Sequence, residues 1–197
     1  MRLGRSSQTG IGSLPDLNPP TADSGRRLSP SAQNLSYPTN ESAGTMADLL
    51  EPGSLAPDFE GRNQDGAPVR LRDLRGRPVV LYFYPQDDTL GCTREACAFR
   101  DDTEAFRNAG AVVLGVSVQG ESSHREFRDK YRLSFDLVAD PDRRITAAFR
   151  AVAIHGLAKR VTYVIGSDGR ILAAYRRLDP KSHSKEALRV LSGVRKR

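Results

Sequence analysis

The sequence has no tryptophan, and it holds only two cysteines, two methionines and three histidines in 197 residues. Each scarcity closes off a class of protein. Two cysteines cannot make the multiple-disulfide framework that staples a small secreted domain. Three histidines isolated at positions 124, 155 and 183 do not supply a zinc site, which favours two cysteines separated by two to four residues, with a second ligand pair at similar spacing. No apolar run approaches the roughly 18 residues needed to span a bilayer. No apolar stretch follows Arg2 and Arg5, so a secretory leader is not expected. The expected compartment is the cytoplasm, where a lasting structural disulfide is out of place and a catalytic one is ordinary. Without tryptophan the chain has no indole fluorescence probe.

What is present fits a foldable chain with a tail. Hydrophobic residues make up 38% and charged residues 27%, which allows a real core. The net charge of +6 comes from arginines scattered singly along amphipathic segments. No stripe of Lys and Arg with interleaved aromatics stands behind a nucleic-acid partner, so the charge reads as a mildly cationic, solvated surface. Residues 1–45 differ from the rest. They hold eight Ser, five Pro and a single aromatic, Tyr37, with neither helical nor strand periodicity. Such a stretch cannot bury enough apolar surface to offset its ordering entropy and is expected to be disordered. A transit peptide is opposed by Asp16, Asp23 and Glu41; a start at Met46 is the other reading. The foldable domain is expected over 46–197.

Within that domain the punctuation is regular. Asp58 to Val69 reads as an N-terminal hairpin turning at Asn63-Gln64-Asp65-Gly66. Val79 to Tyr84 is a continuous β-branched and aromatic run, as in a central buried strand. Ala96, Phe99, Thr103 and Phe106 recur at helical spacing, and Gly110 closes that helix. Ala111 to Val118 reads as a strand. Ser123 and Glu126 resemble a capping box for a helix with Phe127 and Tyr131 on one face. A strand at Phe135 to Val138 and a helix near Arg143 to Arg150 follow. Two strands flank Gly166-Ser167-Asp168-Gly169, and a last helix carries Ala187, Leu188, Leu191 and Val194. Strands alternating with helices predict an α/β domain with a mixed central sheet flanked by helices, the ground plan of a thioredoxin-like fold.

The two cysteines, Cys92 and Cys97, lie five positions apart, just after the central strand. A lone intracellular cysteine is usually a small buried hydrophobe. Cys92, however, follows Gly91 where the first turn of a helix should form, and there unpaired backbone N–H groups and the helix dipole favour the ionised sulfur. Thr89 can bring a hydroxyl beside the sulfur, and Pro85 can wall it off from water. In one ideal helix the two cysteines would be about 7.5 Å apart along the axis and about 140° apart around it. A disulfide needs Cα atoms within roughly 7 Å and converging Cβ vectors. A resting bond would therefore fight its own helix. The consistent reading is a transient one, in which Cys92 reacts, the first turn unwinds and Cys97 attacks. The Cys-x-x-Cys spacing of disulfide oxidoreductases is absent, and the histidines are expected at the surface or at helix ends.

The run Tyr82-Phe83-Tyr84-Pro85-Gln86-Asp87-Asp88-Thr89-Leu90-Gly91-Cys92-Thr93-Arg94-Glu95-Ala96-Cys97 resembles the active-site segment of peroxiredoxins. Specifically it resembles the peroxiredoxin Q group, also called bacterioferritin comigratory protein, and Pro85, Thr89 and Cys92 carry its Pro-x-x-x-Thr-x-x-Cys pattern. The similarity runs from about Gly53 through Ser123-His124 and Lys130-Tyr131 to Arg160 and the Gly169 turn. The resemblance implies a thiol-dependent peroxidase that uses no cofactor. Cys92 would attack hydrogen peroxide or an organic hydroperoxide and become a sulfenic acid, and Cys97 would resolve it to an intramolecular disulfide. Thioredoxin or a similar dithiol would reduce that bond. Thr89 would hydrogen-bond the peroxide and Pro85 would shield the site. Arg160, in Arg160-Val161-Thr162-Tyr163, would supply the guanidinium; its blander reading is a strand-end surface charge. Leu90 stands where this group often has proline, and Gln86 where lysine is common. With both cysteines on one helix no second subunit is required, so a monomer is expected. A different class of function, a redox sensor or holdase switched by the same disulfide without turnover, uses the same residues.

Overall fold

The computed structural model describes residues 48–176 and 179–194; the segment 1–45, expected to be disordered, lies outside them. Seven strands form one sheet in the order β2-β1-β5-β4-β3-β6-β7. They are β1 (Glu60–Asn63), β2 (Pro68–Arg70), β3 (Val79–Phe83), β4 (Val112–Ser117), β5 (Asp136–Ala139), β6 (Val161–Ile165) and β7 (Ile171–Tyr175). β3, β4 and β5 run parallel, and the other neighbours pair antiparallel. The helices are α1 (Leu90–Asp101), α2 (Thr103–Asn108), α3 (Glu121–Tyr131), α4 (Arg144–Ala148) and α5 (Ser182–Val194). The mixed α/β architecture matches the sequence expectation. A 3-10 turn at Leu71–Leu74 carried no sequence signal that distinguished it from loop.

Strand β3 organises the molecule. Val79, Leu81 and Phe83 face one apolar cluster, with Phe149, Ile145 and Tyr163. Val80, Tyr82 and Tyr84 face the other, with Phe99, Phe106, Phe127 and Leu191. Because side chains alternate along a strand and both faces are covered, the sequence reads as an unbroken apolar run. Both hairpin turns occur where foreseen. Gly66 and Gly169 adopt φ of 79° and 80°, a region open to glycine at no steric cost.

Three local expectations are corrected. The helix read through Ala96 to Phe106 is two helices, broken at Asp102 (φ −93°, ψ 8°). There the Thr103 hydroxyl donates back to the Phe99 carbonyl at 3.4 Å, a side-chain bond that bends helices. The proposed capping box is not one. α3 starts at Glu121 with Gly120 as its cap, so Ser123 lies inside the helix and its hydroxyl points to Asp87 at 2.6 Å. Finally, His124 and His183 lie in the first turns of α3 and α5, at helix ends as expected, but neither is a surface residue: both are fully buried, and His155 alone is exposed. In α5, Ala187 and Leu191 face the core as expected, whereas the side chain of Val194 lies outside the described ones.

Candidate active site

The chain leaves β3 at Phe83, passes Pro85 and enters α1 with Thr89 as the N-cap residue (φ −83°, ψ 149°). Cys92 therefore sits in the first turn, where backbone N–H groups lack intrahelical partners. The residue is 1% exposed, on the face of α1 that also buries Glu95, Ala96 and Phe99. Cys97 is half-buried on the same unbroken helix, and both thiols are free. The Thr89 hydroxyl donates to the Gln86 carbonyl at 3.1 Å, which tightens the loop ahead of the helix.

Arg160 comes to Cys92 through the sheet. β6 pairs antiparallel with β3, with Phe83 opposite Val161, so the residue before Val161 lies beyond the end of β3, where α1 begins. Its Nη2 is 3.4 Å from the Cys92 sulfur, and its Nη1 donates to Glu95 Oε2. One planar guanidinium thus spans sulfur and carboxylate, which suits the fork of an arginine. Gly91 leaves room for it: a Cβ there would stand 3.0 Å from Nη2. Of the five residues singled out from sequence, the structure brings Cys92 and Arg160 into contact and strings Pro85 and Thr89 along the loop before them. It holds Cys97 on the same helix as Cys92.

Glu95 was not foreseen. It is 0% exposed, and its Oε1 lies 3.2 Å from His183 Nδ1, which also meets the Thr162 hydroxyl at 2.7 Å. Oε1 itself has no hydrogen-bond partner. The signal lay in spacing: Cys92, Glu95, Ala96 and Phe99 fall at i, i+3, i+4 and i+7, one helical face. Burial raises the Glu95 carboxyl to about 8, against the opposing pull of Arg160. Burial also disfavours the Arg160 charge, but Glu95 and Cys92 outweigh it and push its pKa above the usual arginine value. A carboxyl that stays protonated near neutrality leaves more of the guanidinium's charge for the sulfur.

A pH dependence of stability follows. Below about 4.5 Glu95 is neutral folded or unfolded; between there and about 8 the unfolded chain ionises while the folded one keeps its proton. Rising pH therefore favours unfolding across that window, by about 5 kcal/mol in total. Glu95→Gln is expected to remove that slope, as measured by denaturant unfolding from pH 5 to 8.5. A slope unchanged by the substitution would show that Glu95 is ionised throughout.

Among the described residues, no group of three or more His, Cys, Asp or Glu side chains is placed to hold a metal ion. No helix among them is long and apolar enough to cross a membrane. What the structure brings together is a buried sulfur, a guanidinium aimed at it and a second thiol on the same helix, the equipment of thiol redox chemistry.

The relatives agree with that class. Residues 52–174 match the AhpC/TSA family, and the chain belongs to it. A peroxiredoxin Q from Populus jackii, described as chloroplastic, is 38% identical over 92% of this chain and 93% of its own. Peroxiredoxin Bcp of Bacillus subtilis is 37% identical over 74% of this chain and 97% of its own. Among solved structures, a peroxiredoxin Q of Xanthomonas campestris superposes with a TM-score of 0.67 at 32% identity, covering 74% of this chain and 98% of its own. Peroxidoxin BcpB of Mycobacterium tuberculosis gives 0.69, also at 32%, covering 74% of this chain and 98% of its own. The fold is that of thioredoxin-like peroxiredoxins, and the protein is a thiol peroxidase of the peroxiredoxin Q and Bcp type.

Proposed function

We propose that Cys92 is the thiol that attacks peroxide and that Cys97 resolves the product. The Cys92 sulfur displaces one oxygen of the O–O bond, taking it as a sulfenic acid, while the other leaves as water or alcohol. Cys97 then attacks that sulfur, an S–S bond forms and water departs. A dithiol reductant of the thioredoxin type exchanges with the bond and restores both thiols. The observation that carries this reading is the Arg160 guanidinium 3.4 Å from a buried sulfur, aimed where negative charge passes from sulfur to the leaving oxygen. Thr89 orients the peroxide when the substrate enters, and Pro85 keeps bulk water out.

Hydrogen peroxide and organic hydroperoxides are both substrates in this reading. Alkyl peroxide reduction by the Xanthomonas campestris bacterioferritin comigratory protein supports the second class. The hairpin bridged at Val152 and Ala158, with Ile154 and Leu157 exposed, leads directly into Arg160. One chain is a sufficient working unit, because both thiols share a helix, and the proposed compartment is the cytoplasm, which supplies the dithiol.

The test is turnover. With thioredoxin, its reductase and NADPH, peroxide is expected to be consumed in many cycles per protein. Mass spectrometry after one equivalent of peroxide should find a bond between Cys92 and Cys97 within one chain. Cys97→Ser is expected to complete one turnover and then stall in the thioredoxin-coupled assay, with a sulfenic acid left on Cys92. Oxidation in one stoichiometric step, without cycling in the wild-type protein, would instead identify a redox switch.

A further inference from the structure

Two consecutive acidic residues fasten the loop between β3 and α1 to helix α3. Asp87 is 7% exposed. Its Oδ1 accepts from the Tyr84 hydroxyl at 2.7 Å and its Oδ2 from the Ser123 hydroxyl at 2.6 Å. His124 Nδ1 lies 2.8 Å from the same Oδ2, and the Asp87 amide donates to Gln119 Oε1 at 2.5 Å. His124 is itself buried, with Nε2 3.3 Å from the Val138 carbonyl, which ties the pair to the sheet. Burial would push the Asp87 carboxyl up, but the His124, Ser123 and Tyr84 contacts outweigh it and hold the group below the usual range. Asp88 next to it has a left-handed backbone, φ 56°. Its carboxylate meets Lys130 Nζ at 2.6 Å and accepts from the Tyr131 hydroxyl at 2.5 Å. Helix α3 thus grips adjacent loop residues from its first and last turns. Thr89 and the first turn of α1 begin immediately after the grip.

We propose that α3 is a clamp on this loop, with Asp87–His124 and Asp88–Lys130–Tyr131 as positioning residues that set how readily the first turn of α1 unwinds. The proposal rests on the roles given to Cys92 and Cys97 above. The sulfenic acid on Cys92 has two fates, and they demand opposite conformations. Unwound, it meets the Cys97 thiol; a disulfide forms and the oxygen leaves as water. Still folded beside Arg160, it takes a second oxygen from another peroxide molecule, giving a sulfinic acid on Cys92 and water or alcohol. A tight clamp favours fast reaction with peroxide but exposes the enzyme to this second oxidation. A loose clamp favours the disulfide.

The test compares wild type with Asp87→Asn, which weakens the buried jaw, and with the double variant Lys130→Met, Tyr131→Phe. The double variant opens the exposed jaw without altering the loop or any fully buried residue. Reduced proteins receive graded hydrogen peroxide, are blocked with a thiol reagent, and Cys92 is read by peptide mass spectrometry. The double variant is expected to need about threefold more peroxide than wild type for half-conversion to sulfinic acid, and Asp87→Asn about tenfold or more. Both should also form the initial sulfenic acid more slowly. If both variants fold and keep the wild-type midpoint, or only melt at lower temperature, the residues are merely structural and the clamp is overturned while the peroxidase roles stand. If Cys92 is found in neither oxidised form, both readings fall together.

Discussion

Cys92→Ser is expected to reduce peroxide consumption to the level of buffer alone. Serine keeps the size of the side chain, so the buried site is not reshaped; Cys92 is 1% exposed and packs among Tyr82, Tyr84 and Phe99. What changes is the nucleophile. A cysteine sulfur is polarisable and intrinsically nucleophilic, whereas a serine hydroxyl is weak without an adjacent general base. The charged group beside the position is Arg160, which cannot take up a proton. The hydroxyl would hydrogen-bond the guanidinium and stay inert. Stability should move by no more than about 1 kcal/mol, since the new polar group keeps a partner. The measurement is peroxide loss in the thioredoxin-coupled assay alongside thermal unfolding. Retained activity in a folded Cys92→Ser protein would move the chemistry to Cys97 and overturn the site.

The parts of this site legible in the sequence are the local ones. β3 announces itself because both of its faces are buried, and the Gly66 and Gly169 turns because their backbone requires φ above zero. Cys92 is legible because a strand, a short polar loop and a helix start lie within a few residues of one another. Arg160 is another matter: it lies 68 residues away, and only the register of β6 against β3 brings it to the sulfur. No periodicity encodes that pairing; family resemblance supplied the residue, and the sheet supplies the physical reason. Glu95, His124 and His183 were missed for a shared cause. Polar residues on a helix are read as facing water, yet each lies on the helical face that carries Phe99, Phe127 or Ala187. Their burial is tolerable because each meets a partner: Arg160 for Glu95, Asp87 for His124, Thr162 for His183. Such a pairing is a tertiary fact. The break at Asp102 was hidden because the apolar spacing continues through it from Phe99 to Phe106.

Arg160→Met is expected to slow the reaction of Cys92 with peroxide by about 100-fold to 1,000-fold, the usual cost of removing one oriented donor from a developing charge. Two functions go with the guanidinium. It faces the sulfur at 3.4 Å, and it holds Glu95 through its other nitrogen, so the arginine is itself fixed in direction before the peroxide arrives. The fold should survive the substitution. Glu95 is already held near 8 by burial with Arg160 as its opposing cause; without the arginine it stays protonated at neutral pH and no bare charge is stranded in the core. The informative companion is Arg160→Lys. An ammonium keeps the positive charge but not the planar fork, and it cannot face Glu95 and the sulfur together as the two arginine nitrogens do. Lysine should therefore recover part of the loss, leaving a deficit of about tenfold. Stopped-flow measurement of Cys92 oxidation separates this step from recycling by the reductant. A methionine variant within about threefold of wild type would reduce Arg160 to the strand-end surface charge that its sequence position alone suggests.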